Sequence, residues 1–228
     1  MHARQGGWKV SRYALGIDIG TTSVKAILIS LDGRIVYETS APHDLHSEHI
    51  GWAEEDTEDW WSNTRLVVKR MIGDVPDAVA RIEAIGVSGM VPAIVLLDAD
   101  GRPLRRSIQQ NDARSGKEIE WLRRTLDQDE LYRLTGGFTN QQHVLPRLLW
   151  IKDNEPELWG KVSAVVGSYD YITYRLTGRT SIEVNWAAES GLYDIREGAW
   201  LTEQMKGFNI DPAIFPDVPA SADGVGTV

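Results

Sequence analysis

Between Tyr13 and Ser30 the chain reads YALGIDIGTTSVKAILIS, two apolar runs separated by one charge and a glycine-threonine turn. Tyr13 to Ile19 is apolar except for Asp18, and Val24 to Ile29 resumes the run after Gly20-Thr21-Thr22. This pattern predicts a strand, a tight turn and a second strand. Asp32-Gly33 makes another tight turn and Arg34 to Glu38 alternates as a third strand, so the unit is a meander with its first bend at Gly20. The period then changes. Asp56 is placed to cap a helix from about Thr57 to Ile72, acids crowd its first turn, and Trp60/Trp61, Val67/Val68 and Met71/Ile72 form a broad apolar stripe. Ile82 to Ser88 and Ala93 to Leu97 read as strands separated by Gly89-Met90-Val91-Pro92, where Pro92 has no N–H to donate to a ladder.

Further along, the pattern predicts a helix from about Arg114 to Thr125 capped by Asp112, a short helix over Glu130 to Leu134 ending at Gly136-Gly137, and a helix from Pro146 to about Asp153. Val162 to Val166 is strand-like and precedes a helix, Tyr169 to Leu176, stopped by Gly178. Ser181 to Ala188 reads as a strand or loop, and from Trp200 a helix leads into a proline-rich coil. Polar clusters punctuate this half: Gln109-Gln110-Asn111, Thr139 to His143, and the segment around Asn185. A cap explains Asp112, but consecutive neutral amides line a wet cleft if they turn inward. His43, His46 and His49 recur at a spacing of three in a polar stretch with no carboxylate or cysteine in register, which reads as a solvent loop rather than a metal site.

With 228 residues and 42% hydrophobic content, the chain can bury a core as one large domain or two small ones. The net charge of -9, with no basic run beyond Arg105-Arg106 and Arg123-Arg124, argues against a nucleic-acid surface. The lack of cysteine excludes disulfides and thiolate chemistry and fits a reducing cytoplasm, the expected location. The first twelve residues lack an apolar signal region and no long apolar run follows, so neither export nor membrane insertion is expected.

The chemistry concentrates at the first turn. A carboxylate at the end of a buried strand can hold a hydrated divalent cation, while a glycine admits phosphate oxygens to backbone N–H groups and hydroxyls add short donors. Asp-x-Gly-Thr-Thr is also ordinary hairpin composition, but the third strand shifts the balance toward a nucleotide turn, and no GxxxxGK loop occurs anywhere. The unit resembles the phosphate-1 element of the actin, Hsp70 and sugar-kinase superfamily. That resemblance implies an α/β, ribonuclease H-like domain, a mixed sheet flanked by helices.

The blocks GIDIGTTSVKA, GWAEEDTEDWW, GVSGMVPAIVLLDADGRPL, NDAR, LPRLLWIKDNEPELW and DYITYRLTG follow in the order found in the amino-terminal half of the FGGY carbohydrate kinases, to which the chain is similar. The resemblance implies an ATP-dependent transfer of phosphate to a sugar or polyol hydroxyl, with MgATP as co-substrate. It implies that Asp18 binds magnesium, that Gly20, Thr21 and Thr22 contact phosphate, and that Lys25 is a nearby basic position. Met90, Val91 and Pro92 fall where members place a polar sugar-contacting triplet, and here that triplet is apolar. Gln110, Asp112, Gln142 and Asn185 are the candidates to supply the missing hydrogen bonds. Members also carry a second domain with the adenine pocket and the catalytic aspartate. Residues 13–228 are accordingly expected to form the sugar-binding, phosphate-1 domain behind a flexible 1–12 extension, with the base beyond Val228, no turnover by this chain alone, and self-association through the exposed inter-domain face. Two rival readings are an ATPase switch of the actin or Hsp70 kind and a non-catalytic sugar-binding or interaction module.

Overall fold

The structure is a computed structural model and describes residues 12–220 and 223–228, so the 1–12 extension lies, apart from Arg12, outside the described residues. Strands β1 (Tyr13–Ile19), β2 (Ser23–Ser30) and β3 (Ile35–Pro42) form the expected antiparallel meander, with Asp18 opposite Lys25. Alternation decides the faces: Leu15, Ile17, Ile19, Val24, Ala26 and Leu28 point into the core, and Gly16, Asp18 and Lys25 point away from it. β3 continues past Glu38, because its later residues keep pairing with β2 as far as Ser23 opposite Pro42.

β4 (Glu54–Glu55) leads into α1 (Thr57–Asp74), and the Asp56 side chain accepts from the Glu58 N–H at 2.9 Å, as a helix cap should. α1 lies on β2 and β3 through Trp60, Thr64, Val67 and Met71. The stripe is narrower than the pattern suggested, since Trp61 and Val68 are half-buried and Ile72 is exposed. β5 (Ile82–Gly89) then pairs parallel with β1, completing a mixed sheet of order β3-β2-β1-β5.

Short pieces build the rest of the body. β6 (Val95–Leu97) pairs with β8 (Ala164–Val166), and β7 (Ser107–Ile108) pairs with β4. Between them come α2 (Gly116–Thr125), α3 (Gln128–Thr135), α4 (Val144–Asn154) and α5 (Pro156–Trp159). α6 (Ser168–Thr177) packs beside α1 on the same face of the sheet and ends at Gly178, whose φ of 73° suits glycine. The chain closes through α7 (Val184–Glu189), β9 (Tyr193–Asp194), β10 (Ala199–Trp200) and α8 (Thr202–Gly207). Two expectations are corrected here: Ser181 to Ala188 contains the helix α7, and Trp200 is a strand residue, the following helix starting at Thr202. Among the described residues no helix is long and apolar enough to cross a membrane.

β1 and β5 approach so closely at their ends that a methyl on Gly89 would sit 2.8 Å from the Ile19 carbonyl oxygen and 3.1 Å from Ser168 Oγ. The carbonyl belongs to the sheet and cannot retreat. Gly89→Ala is therefore expected to lower stability by about 1–3 kcal/mol, seen as a lower denaturant midpoint at constant m-value. An unchanged midpoint would mean that the two strand ends separate freely.

Candidate functional site

The turn after β1 is closed by a hydrogen bond from the Gly20 N–H to the Ser23 carbonyl, 3.1 Å, and held from outside by the His43 N–H on the Thr22 carbonyl, 3.1 Å. Asp18 and Lys25 line a concavity of about 770 Å³ on the sheet face away from α1, together with Gly16, Glu38, Ser40 and Ser88. Asp18 is half-buried, and among the described residues it joins no ion pair. Its carboxylate is thus free on an accessible face.

Most of the stretch from Ala41 to His49 is exposed, as a solvent loop should be, and it departs from that expectation at His43. The His43 imidazole is buried 3.2 Å from Glu55 Oε2, which also accepts from Trp60 Nε1 at 2.8 Å. His46 pairs through its backbone with Glu54, and His49 lies edge-on to Trp52 with ring centroids 4.4 Å apart. The three rings have separate partners, and among the described residues no group of three or more histidine and carboxylate side chains could hold a metal ion.

One loop touches the turn, and two more are tied to that loop. Thr21 Oγ1 is 3.4 Å from Met90 Sδ, and Ser168 Oγ donates to the Met90 carbonyl at 2.9 Å. The Pro92 and Gln109 carbonyls share Arg147 Nη1 at 3.0 and 2.9 Å, and the Gln142 carbonyl accepts from Nη2 of the same side chain at 2.5 Å. Gln141 Nε2 adds a bond across the gap, 3.2 Å from both the Asn111 and Asp112 carbonyls. The structure therefore ties together the main chains that carry Met90, Val91, Pro92, Gln110 and Gln142. Gln109 is fully buried and its Oε1 has no partner among the described residues, whereas Gln142 is exposed. Asn185 sits on the surface of α7 with its amide on Glu183 Oε1 at 2.9 Å, and reaches the neighbourhood only through Trp186, whose Nε1 donates to the Ala93 carbonyl at 2.7 Å.

Asp112 does not cap α2, whose N-cap is Ser115. Its carboxylate is wholly buried and accepts from the Ala53 N–H at 2.6 Å, the Arg114 N–H at 2.9 Å and the Arg114 guanidinium at 2.8 Å, which leaves it no lone pair directed at a ligand. Arg114 is itself enclosed: its guanidinium lies 3.8 Å from the Trp52 ring centroid and 5.0 Å from that of Trp150, and it meets Glu54 Oε1 at 2.6 Å. Arg105 then joins Glu54 to Glu155. Such a chain of alternating charges satisfies what would otherwise be isolated buried ions.

Burial shifts three ionisable groups near this region. His143 is pushed down to about 4 by desolvation and by the neighbouring Arg147, so it stays neutral at physiological pH. Asp170 is pushed up to about 7 by desolvation, against the two N–H groups of Gly167 and Glu183 that it accepts at 3.0 Å. Burial lowers Arg147 to about 10, which leaves it a cation at neutral pH. His143 was read only as the end of the polar cluster from Thr139, and Arg147 was not singled out from the sequence. One signal was there, a lone arginine inside the otherwise apolar stretch VLPRLLWI.

A family model described as the FGGY family of carbohydrate kinases, N-terminal domain, matches residues 13–228. The chain belongs to the FGGY family of carbohydrate kinases, as its N-terminal domain. It is 32% identical over 216 residues to the xylulose kinase of Lactococcus lactis subsp. lactis, covering 95% of this chain and 43% of that protein. It is 31% identical over 228 residues to the xylulose kinase of Escherichia coli K12, covering 94% and 46%. The crystal structure of xylulose kinase from Rhodospirillum rubrum superposes with a TM-score of 0.92 at 40% identity, over 95% of this chain and 45% of that one. Plasmodium falciparum glycerol kinase with ADP superposes at 0.88 with 21% identity, a likeness of fold alone, over 95% and 44%. The fold is the ribonuclease H-like one of the actin and Hsp70 type, and the chain spans less than half the length of the relatives it matches.

The His143 shift has a signed consequence. The native state holds His143 deprotonated from its ordinary 6.5 down to about 4, so unfolding takes up a proton there and stability falls as pH falls, by up to about 3 kcal/mol. Asp170 works in the opposite sense, its native proton favouring the fold from 3.8 to about 7 and that contribution fading as pH rises. In urea titrations the stability advantage of the parent chain over His143→Asn should therefore shrink steadily between pH 6.5 and 4. A constant gap would place His143 in water.

Proposed function

We propose that this chain forms the sugar-binding and phosphate-turn half of an ATP-dependent kinase acting on a hydroxyl of a ketose or polyol, with xylulose, named in several relatives, as the first substrate to try. The observation that supports this most is the approach of Thr21 Oγ1 to Met90 Sδ at 3.4 Å, which sets a candidate phosphate turn against a candidate sugar loop. In-line transfer needs that adjacency: the sugar oxygen bonds to the γ-phosphorus as the bond from that phosphorus to the β,γ-bridging oxygen breaks, and the hydroxyl proton passes to a general base. Asp18, one carboxylate on an open face, would hold magnesium, which would supply positive charge to the transferring phosphate. Gly20 and Thr21 would orient the phosphates, with Lys25 contributing positive charge across from Asp18. On the sugar side, Gln110 and Gln142 would hydrogen-bond hydroxyls, Met90 and Val91 would meet the C–H surface, and Asp112 would hold its loop from behind.

Calorimetry of the chain against a panel of ketoses and polyols, with and without MgATP, tests this. Sugar binding independent of MgATP is expected, weakened ~10-fold by Gln142→Ala, while Asp18→Asn keeps sugar binding and lowers magnesium-dependent nucleotide affinity at least ~10-fold. Coupled ADP release should stay far below ordinary kinase rates of ~1–100 s⁻¹. ADP release without sugar would favour an ATPase switch, and an empty panel would remove the sugar assignment.

A further inference from the structure

Arg147 carries a burden that neither the turn nor the sugar-facing side chains explain. It projects from α4, whose neighbouring residues are apolar, and its side chain is completely buried. Every acceptor it meets among the described residues is a main-chain carbonyl: Pro92 at 3.0 Å, Gln109 at 2.9 Å, Gln142 at 2.5 Å and His143 at 3.4 Å. The neighbouring acid, Asp112, is already taken by Arg114 and the Ala53 N–H. A desolvated cation whose hydrogen bonds all go to carbonyl dipoles, with the Asp112 charge nearby but shared with Arg114, is an unfavourable way to fill space, since leucine or methionine would pack the same volume without it.

We infer that Arg147 is the positioning residue of the sugar pocket, a clamp that fixes the spacing of three loops by holding their main chains. This rests on the reading that those loops hold the sugar. Each clamped carbonyl lies at or next to a candidate sugar-facing residue: Pro92 follows Val91, Gln109 precedes Gln110, and the third belongs to Gln142 itself. The guanidinium is a planar fork of donors in fixed directions, so three acceptors on it sit at set distances and angles from one another. An ammonium offers fewer donors with no such plane. Neutral His143, enclosed so that methyls on Gly137 or Gly191 would reach within 2.9 Å of its ring nitrogens, packs near this cation without adding a second charge. Arg147 has no exposed surface and so acts through the loops rather than on the substrate.

The test compares the parent chain with Arg147→Lys and Arg147→Met by hydrogen exchange and by sugar calorimetry well below each melting temperature. Exchange should rise ~10-fold or more at 89–93, 108–112 and 140–143 while the β1 to β3 meander stays protected, with Met more affected than Lys. Sugar affinity should fall ~10-fold in Met and recover in part in Lys. Exchange that rises evenly along the chain, or loops unchanged in both variants, would make Arg147 a mere core filler and overturn the inference. Should Arg147→Met fail to fold, the Lys variant alone decides, because loop-confined exchange is still required of it. If the parent binds no sugar, the functional reading falls while the exchange pattern still judges the clamp.

Discussion

Parallel pairing of β1 with β5 is the constraint on which the site depends. Neighbouring strands that run the same way deliver their following loops to the same edge, and open α/β sheets collect ligands there. In this chain the two loops are the Gly20 turn and the segment from Met90 to Pro92, and the register that sets Ile19 opposite Gly89 brings them into contact. A slip of one residue would turn Asp18 from the open face into the core. Register, the glycine at 89 and the bond from Ser168 to the Met90 carbonyl thus form one device.

A second principle governs the body beyond the sheet, where the loops are short of regular hydrogen bonding and charged side chains take over. Arg114 is gripped by Asp112, Glu54 and two tryptophan rings, and the hydrogen bonds of Arg147 all go to carbonyls. Buried polar groups of this kind tolerate little rearrangement, because each lost partner leaves a desolvated charge or carbonyl unmatched. The irregular half is therefore made rigid by electrostatics where the meander is made rigid by its ladder.

The meander, α1 and the order of family blocks were legible because their causes are local: alternation of period two, a cap two residues from the N–H it accepts, a glycine where the chain turns. The failures share a different cause. Ser181 to Ala188 looks strand-like, yet Glu183 accepts from the Asn185 N–H and Trp186 reaches the Ala93 carbonyl, so a distant contact helps set a helix. Asp112 was read as a cap because a helix follows, but Arg114, two residues on, captures the carboxylate. His43 looked wet until Glu55 met it, and Arg147 looked like one more helix residue because its partners lie on three separate loops. Site residues whose function is to hold others are the ones a linear pattern conceals.

Because Arg147 grips backbone rather than side chains, the frame of the pocket and its chemical lettering are separable. Val91, Gln110 and Gln142 can be exchanged for other residues without removing any of the Arg147 bonds that fix their main chains, whereas Met90 also meets Thr21 through its side chain. In the proposed sugar site, substitutions can thus alter which hydroxyls are met one position at a time while the scaffold keeps its shape. In that proposed site the apolar triplet at 90–92 sets what is met and Arg147 sets where, so a change in the first needs no change in the second.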